Sequence, residues 1–407
     1  MQSTALLSVG ISSLSFFLVA FLFREQLANF IDFKTQFVTY ALLILLLDAL
    51  VIIPFVWFRA NEKPLKYALI KIINVCINLG CNLFFLLALP LLARNDPNAF
   101  WHYLYTQDNT VVYVFISNVI ASGATLLLLL GVYFKIGFHF SVSIWKKMLR
   151  YSFPVLIAGV AFSINEAFDK ILLNYLLPQD IAANEVGVYA ACYKLGVFMT
   201  LFATAFRLGI EPFFFNHANK ANAKDTYATI TKYFAICGSA ILLFVIVYID
   251  FFKSLLIKNE AYWVALSIVP LILLANLCLG IYHNLSVWYK VTDRTRYGAY
   301  ISVIGACITL GLNFILIPKI SYMGAAVATL AAYSAMMFLS YFLGRKYYRV
   351  PYDVKRIGTY LVIAIGFASV TFYVFERNLW IGTVLLLVFL LLVLFLERQE
   401  IQRIIKK

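Results

Sequence analysis

The chain has 407 residues, of which 63% are hydrophobic and 13% are charged, and its formal net charge is +14. This composition excludes an ordinary soluble fold, in which roughly 45–50% of residues are apolar and about 25% are charged.

Apolar segments long enough to cross about 30 Å of hydrocarbon as helices recur along the whole chain. The sequence therefore predicts an all-α polytopic membrane protein with about twelve spanning helices. They lie at 3–23, 37–58, 66–92, 110–134, 154–177, 186–209, 232–252, 262–288, 298–317, 323–343, 357–375 and 379–396. The outward connections are short, the longest being near 94–108. An extramembrane catalytic site needs more surface than this, so we expect no enzyme.

Most of the 33 lysines and arginines lie on alternate connections, after the second, fourth, sixth, eighth, tenth and twelfth segments. Such alternation follows the positive-inside rule, which places these connections and both termini in the cytoplasm. The excess of positive charge is then a signal of topology, and a nucleic-acid partner is not expected.

Segment 135–150, KIGFHFSVSIWKKMLR, combines apolar and basic residues in a pattern that suits a linker helix in the cytoplasmic interface. It separates a first lobe of four spans, 1–134, from a second lobe of six spans, 151–344. The remainder, 345–407, contains a terminal pair of spans and a basic tail. This pair is nearly free of polar residues, so we expect it to face lipid or a partner.

Polar residues occur inside the second and third segments. Asp48 has no ionic partner on its own helix, so it needs a partner on another helix or is protonated. Lys71, Asn74, Asn78 and Asn82 share one helical face. Asparagines in this arrangement either bond neighbouring helices or line a hydrophilic cavity. We predict that Lys71, Asn74 and Asn78 bind substrate and that Asp48 is a candidate for proton or ion coupling.

The fifth segment carries Asn165, Glu166, Asp169 and Lys170 at its midpoint. Three charges in one turn would cost on the order of 7–10 kcal/mol if they faced lipid, so they must face protein or water. Glu166 and Lys170 have the favourable i, i+4 order for an ion pair, which leaves a structural interpretation open. The functional interpretation makes Lys170 a substrate ligand and makes Glu166 and Asp169 candidates for proton or ion coupling.

The sixth segment places Tyr189, Tyr193, Arg207 and Glu211 on one face, and Lys194 lies about 100° away. Tyrosine rings can stack on sugars, and hydroxyls can bond sugar hydroxyls. The alternative is an aromatic packing stripe with Arg207 and Glu211 as an ion pair. We predict that Tyr189, Tyr193, Lys194 and Arg207 bind substrate.

The eighth segment has a weaker polar stripe, formed by Asn276, Gly280, His283 and Asn284. A lone histidine such as His283 is more often a satisfied structural residue than a proton relay. The six cysteines all lie inside spans and lack metal-ligand spacing. We therefore predict neither a metal site nor a cofactor.

The second lobe resembles the Wzx-type polysaccharide-repeat flippases, the O-antigen and capsule exporters of the MATE/MOP transporter superfamily. The residues that carry the resemblance are Tyr151, Pro154, Leu156, Asp169-Lys170, Leu173, Glu185-Val186-Gly187-Val188-Tyr189, Tyr193-Lys194, Pro212-Phe213, Leu312-Asn313, Ile317-Pro318 and Gly324-Ala325-Ala326-Val327-Ala328-Thr329. The resemblance covers nearly all of the chain and implies a MATE-like architecture of two lobes plus a terminal pair.

The resemblance also implies a function. A member would translocate an undecaprenyl-pyrophosphate-linked oligosaccharide across the bacterial inner membrane by alternating access, for polysaccharide or lipopolysaccharide synthesis. Its partners would be this substrate, membrane lipids, H⁺ or Na⁺, and other polysaccharide-assembly proteins. A cation-coupled multidrug exporter of the same superfamily is the alternative. The family plan has fourteen spans, and residues 1–23 look like its third, so the first hairpin is expected to be missing. A truncated relic that does not transport therefore also stays open.

Overall fold

The structure is a computed structural model that describes residues 1–31, 33–95, 101, 105 and 110–405. Side chains are described for these residues except 95 and 401–405. The predicted loop near 94–108 therefore lies mostly outside the described residues. Every regular element in the described part is a helix, which confirms the predicted all-α class. The chain forms two compact units, Met1–Leu149 (unit 1) and Arg150–Lys407 (unit 2).

Unit 1 is built on membrane-length helices in up-and-down order. Its helices are α1 (Gln2–Leu22), α2 (Arg24–Phe30), α3 (Thr35–Ala60), α4 (Pro64–Leu83), α5 (Leu89–Asn95) and α6 (Thr110–Ile136). A π-helical segment, Phe84–Ala88, joins α4 to α5, so residues 64–94 cross as one element. Helix α6 packs against both α3 and α4, and α1 packs against α3.

The segment predicted as an interfacial linker has two parts. Gly137, with φ of +75°, ends α6 in the left-handed conformation that glycine adopts most readily. Residues 142–150 then form the first turns of α7 (Val142–Leu176) instead of a separate helix. This 35-residue helix is about 52 Å long at 1.5 Å per residue, longer than a hydrocarbon core of about 30 Å.

Unit 2 continues from α7 through α8 (Gln179–Tyr193), α9 (Val197–His217), α10 (Ala223–Val247), α11 (Ile249–Leu256), α12 (Val269–Leu285), α13 (Val287–Val291), α14 (Thr295–Tyr347), α15 (Val354–Ser369) and α16 (Leu379–Ile405). A 3₁₀ turn, Lys194–Gly196, joins α8 to α9, and a 3₁₀ segment, Glu260–Ile268, precedes α12. A π-helical segment, Val370–Val374, extends α15.

Helix α14 is interrupted near its middle. Ile320 and Ser321 are not helical, and Ser321 has φ of +47°, which is unusual for a residue with a side chain. The Ser321 hydroxyl donates a hydrogen bond to the Glu185 carboxylate, which helps to hold this backbone in place. Gly324 allows the two halves to approach, because a Cβ there would lie 2.6 Å from the carbonyl carbon of Leu316. The two halves correspond to the predicted spans 298–317 and 323–343.

Ten helices in the described part of the chain are long and apolar enough to cross a membrane. The difference from about twelve predicted spans has two sources. Helix α14 counts once although its break divides it into two spans. Helix α7, which contains the predicted span 154–177 and its charge cluster, is not among the ten.

Candidate functional site

Unit 1 contains an open cavity of about 510 Å³ between α3, α4 and α6. Its polar lining consists of Asp48, Lys71, Asn74, Asn118, Ser122 and Thr125. Three predicted site residues therefore lie around one space, and α6 supplies the opposite polar wall.

Hydrogen bonds connect the helices around this cavity. The Ser122 hydroxyl donates to Oδ1 of Asp48 at 2.7 Å, so the partner that Asp48 needs is on α6. Nδ2 of Asn74 donates to Oγ1 of Thr125 at 2.9 Å. The ammonium of Lys71 lies 4.6 Å from the ring centre of Phe55 and forms no ion pair with any described residue. Lys71 is thus a cation available to an anionic ligand.

The polar residues on one face of α4 have two different roles. Asn78 donates to Oδ1 of Asn118 at 2.8 Å, and Asn82 donates to Oδ1 of Asn78 at 2.8 Å. Neither Asn78 nor Asn82 lines the cavity. The end of the stripe at Lys71 and Asn74 therefore forms cavity wall, whereas the end at Asn78 bonds neighbouring helices.

Sequence reasoning did not single out the α6 residues Asn118, Ser122 and Thr125. They follow one another at spacings of four and three, which places them on one helical face. This spacing could have identified the three residues as one polar face, although these residue types are common in membrane helices.

In unit 2 two residues of the α7 charge cluster lie in the protein core, and another residue of the cluster lines a cavity. Asn165 and Asp169 are each 1% exposed. Tyr189 donates its hydroxyl proton to Oδ2 of Asp169 at 2.6 Å, and Nζ of Lys170 lies 3.7 Å from Oδ1. Thr309 donates to Oδ1 of Asn165 at 2.5 Å. Asp169 is consequently a buried carboxylate held by a phenol and an adjacent ammonium.

The interpretation of Glu166 and Lys170 as an ion pair is wrong. Nζ of Lys170 contacts the backbone oxygen of Glu166 at 3.4 Å, and the Glu166 carboxylate accepts from the Tyr333 hydroxyl at 3.2 Å. Lys170 turns instead toward Asp169 and the ring of Tyr193, whose centre is 4.3 Å from Nζ. The adjacent Asp169 and tyrosines of other helices compete successfully with the i, i+4 position.

Glu166 faces a second cavity of about 180 Å³, between α7, α9 and α12. Its polar lining consists of Glu166, Thr200, Thr204, Arg207, Asn276 and His283. A smaller cavity of about 20 Å³ is lined by Arg207 and His283 as well, together with Glu211 and Lys290. Sequence reasoning ranked Asn276 and His283 low because their stripe looked structural, yet both line this cavity.

Arg207 is not paired with Glu211. The Glu211 carboxylate accepts from Lys290 at 2.6 Å, and Arg207 forms no ion pair with any described residue. The guanidinium therefore lies in a cavity with Glu166 and neutral polar groups. Such a site can bind an anionic group by bidentate hydrogen bonds.

The other predicted ligands lie elsewhere. Tyr189 is fully buried, and its hydroxyl is occupied by Asp169. Tyr193 covers Lys170, while Lys194 is exposed on the 3₁₀ turn and has no ion pair within the described chain. None of these residues lines either of the two cavities. The described residues contain no cluster of three or more His, Cys, Asp and Glu suited to a metal.

The sequence profile of a family described as "Polysaccharide biosynthesis protein" matches residues 1–206. No curated protein matches the chain significantly.

Solved transporter structures share the fold. The lipid II flippase MurJ in an inward closed conformation has a TM-score of 0.58 and 16% identity, covering 98% of this chain and 84% of that chain. The Vibrio cholerae MATE transporter VcmN in the bent form has a TM-score of 0.62 and 13% identity, covering 88% and 80%. A MOP superfamily transporter from Pyrococcus furiosus has a TM-score of 0.60 and 13% identity, covering 88% and 79%. The predicted MATE-like architecture is confirmed.

Proposed function

Because the chain belongs to the polysaccharide biosynthesis protein family, we propose that it is a flippase for a lipid-linked oligosaccharide. It would translocate an undecaprenyl-pyrophosphate-linked repeat unit across the bacterial inner membrane by alternating access, without catalysing a covalent reaction. Both termini would be cytoplasmic, in agreement with the distribution of basic residues. The similarity to a lipid II flippase supports a lipid-linked substrate.

The observation that carries the proposal is the polar cavity of unit 1. It lies between spanning helices and presents two amides and two hydroxyls together with one ammonium and one carboxylate. Polar groups inside membrane spans are costly unless they serve a route for polar cargo. Amides and hydroxyls suit sugar hydroxyls because they both donate and accept hydrogen bonds.

The cationic residues would bind the pyrophosphate or acidic sugars. In this proposal Lys71 acts in unit 1 and Arg207 in unit 2, since each faces a cavity and neither has an ion-pair partner in the described part of the chain. Lys194 is an exposed cation that reaches substrate outside the described cavities. Lys170, Tyr189 and Tyr193 would act in another conformation, because here they are engaged with Asp169 and with one another.

Coupling to H⁺ or Na⁺ would involve Asp48, Glu166 or Asp169. Asp169 is the most buried of the three carboxylates, and Tyr189 and Lys170 contact it. Asp48 and Glu166 line cavities, so an ion or proton can reach them directly.

The test replaces Lys71 by Ala in the complete gene and measures surface polysaccharide in a strain that lacks the chromosomal copy. Loss of one charged hydrogen bond of about 1.5–3 kcal/mol corresponds to a roughly 10- to 150-fold loss of transport. Lys66→Ala is the matched control, because Lys66 is an exposed residue of α4 outside the cavity. Unchanged polysaccharide in Lys71→Ala, at equal protein in the membrane, would exclude the assigned role of Lys71.

A cation-coupled multidrug exporter is the second candidate, supported by the similarity to MATE transporters. Lys71 and Arg207 disfavour it, because in each cavity a cation with no ion-pair partner among the described residues offsets the attraction of Asp48 or Glu166 for an organic cation. Deletion of the gene distinguishes the two functions. Drug hypersensitivity with normal polysaccharide supports the exporter, whereas loss of polysaccharide with normal drug tolerance supports the flippase.

A further inference from the structure

The terminal helices α15 and α16 meet α10 at a partly buried group of charges. Nζ of Lys232 lies 2.7 Å from Oε2 of Glu397 and 2.6 Å from Oε2 of Glu400. The side chain of Lys232 is 6% exposed and that of Glu397 is fully buried. Lys232 is the first residue of the predicted span 232–252; it lies within α10 and faces the terminal pair.

Further donors complete the coordination of these carboxylates. Tyr360 donates to Oε1 of Glu397 at 2.7 Å, and Nη1 of Arg356 lies 3.5 Å from both glutamates. Both oxygens of Glu397 therefore have partners. A buried charge is tolerated only when paired and hydrogen-bonded, so removal of one partner leaves an uncompensated charge.

The same helices are joined at their opposite end by weaker contacts. Nε of Arg377 lies 3.6 Å from Oδ2 of Asp250, and the Tyr248 hydroxyl lies 3.3 Å from that of Thr383. Arg377 and Asp250 are 32% and 45% exposed, so solvent screens this pair. Apolar packing connects the two ends, and Phe389 is fully buried.

We propose that Lys232, Arg356, Glu397 and Glu400 form a clasp that fixes the terminal pair α15–α16 to α10, so that these three helices move as one body. Glu397 and Glu400 follow the apolar run 379–396, in the last turns of α16. The end of α16 is therefore held to the rest of unit 2 by these ion pairs. Arg356, Glu397 and Glu400 flank the predicted spans 357–375 and 379–396, so the terminal pair contributes three of the four clasp residues.

A double-mutant cycle on the full-length chain tests the clasp. Lys232→Met and Glu397→Gln should each lower the thermal midpoint of the detergent-purified protein by roughly 5 to 15 °C. The double variant removes both charges of the pair, so its midpoint should fall no further than that of the worse single variant. Arg377→Gln is the control at the exposed end and should leave the midpoint within about 2 °C of wild type.

Trypsin provides a second measurement, since Arg349 and Lys355 lie in or beside the connection from α14 to α15. Each single variant should be cut there at least several-fold faster than wild type, and Arg377→Gln should not be. Additive midpoint changes, or unchanged midpoint and cleavage in the single variants, overturn the clasp. If the single variants fail to accumulate in the membrane, the double variant must accumulate, and its failure also overturns the clasp.

Discussion

Unit 1 and unit 2 contain the same kinds of intramembrane polar residue but bury them to very different extents. In the apolar windows of the spans of unit 1, 6–28% of residues are buried, whereas in unit 2 the share ranges from 22% in the terminal pair to 67% in α10 and 72% for 260–291. Asp48 lines a cavity of about 510 Å³, whereas Asp169 is 1% exposed. Residue type at mid-membrane therefore does not determine whether a side chain lines a cavity or belongs to the core.

The residues around each aspartate explain this difference in burial. In unit 1 the partners of Asp48 and Asn74 are small hydroxyl residues of α6, which leave space beside them. In unit 2 the partner of Asp169 is the large, fully buried Tyr189. The space beside the polar groups of unit 1 suits a binding surface that adapts to its ligand. The close packing around Asp169 in unit 2 suits a fixed set of hydrogen bonds in this conformation.

The largest contrast is expected between the two aspartates. Asp169→Ala removes the acceptor of the Tyr189 hydroxyl proton and the carboxylate beside Lys170, which should lower stability by about 3–5 kcal/mol. Asp48→Ala should cost about 1 kcal/mol or less, because water in the cavity can solvate Ser122. Thermal unfolding of the purified full-length protein measures both. Equal losses for the two variants would contradict the difference in burial.

Much of the fold could be predicted because apolar length is a local property. The boundaries of most spans, and the grouping of Lys71 with Asn74, follow from hydropathy and helical period. Contacts between distant segments do not follow from either. Lys232 and Glu397 are 165 residues apart, and nothing in the sequence near either residue identifies the other.

The alternative of an ion pair between Glu166 and Lys170 fails for the same reason. A local rule predicts the i, i+4 pair, yet Tyr333, which is 167 residues from Glu166, binds its carboxylate. Pair contributions on an isolated helix are only about 0.2–0.5 kcal/mol, less than a buried hydrogen bond to a charged group at about 1.5–3 kcal/mol. Tertiary contacts therefore override the local preference at this site.

Glycines provide an intermediate contrast. An added Cβ at Gly324 meets the backbone of Leu316 at 2.6 Å, so Gly324→Ala should force the two halves of α14 apart and cost roughly 1–3 kcal/mol. An added Cβ at Gly123 in α6 meets nothing within 4 Å, so Gly123→Ala should be neutral or stabilise by up to about 1 kcal/mol. Thermal midpoints measured in one detergent test the pair. A stabilising Gly324→Ala would show that the break in α14 adapts more easily than its geometry indicates.

The smallest contrast concerns two threonines that bond an asparagine on another helix. Thr309→Val removes the donor to Asn165 and leaves its buried oxygen unsatisfied, which should cost about 1–2 kcal/mol. Thr125→Val removes the acceptor for Asn74, but Asn74 also faces the cavity, so the cost should be near the roughly 0.6 kcal/mol average for such bonds in membranes. Thermal midpoints of both variants and of the double variant test this order, and the two losses should add because the sites lie in different units. A larger loss in Thr125→Val would mean that the amide of Asn74 is shielded from water, and the unit 1 cavity would then be a poor place for sugar hydroxyls.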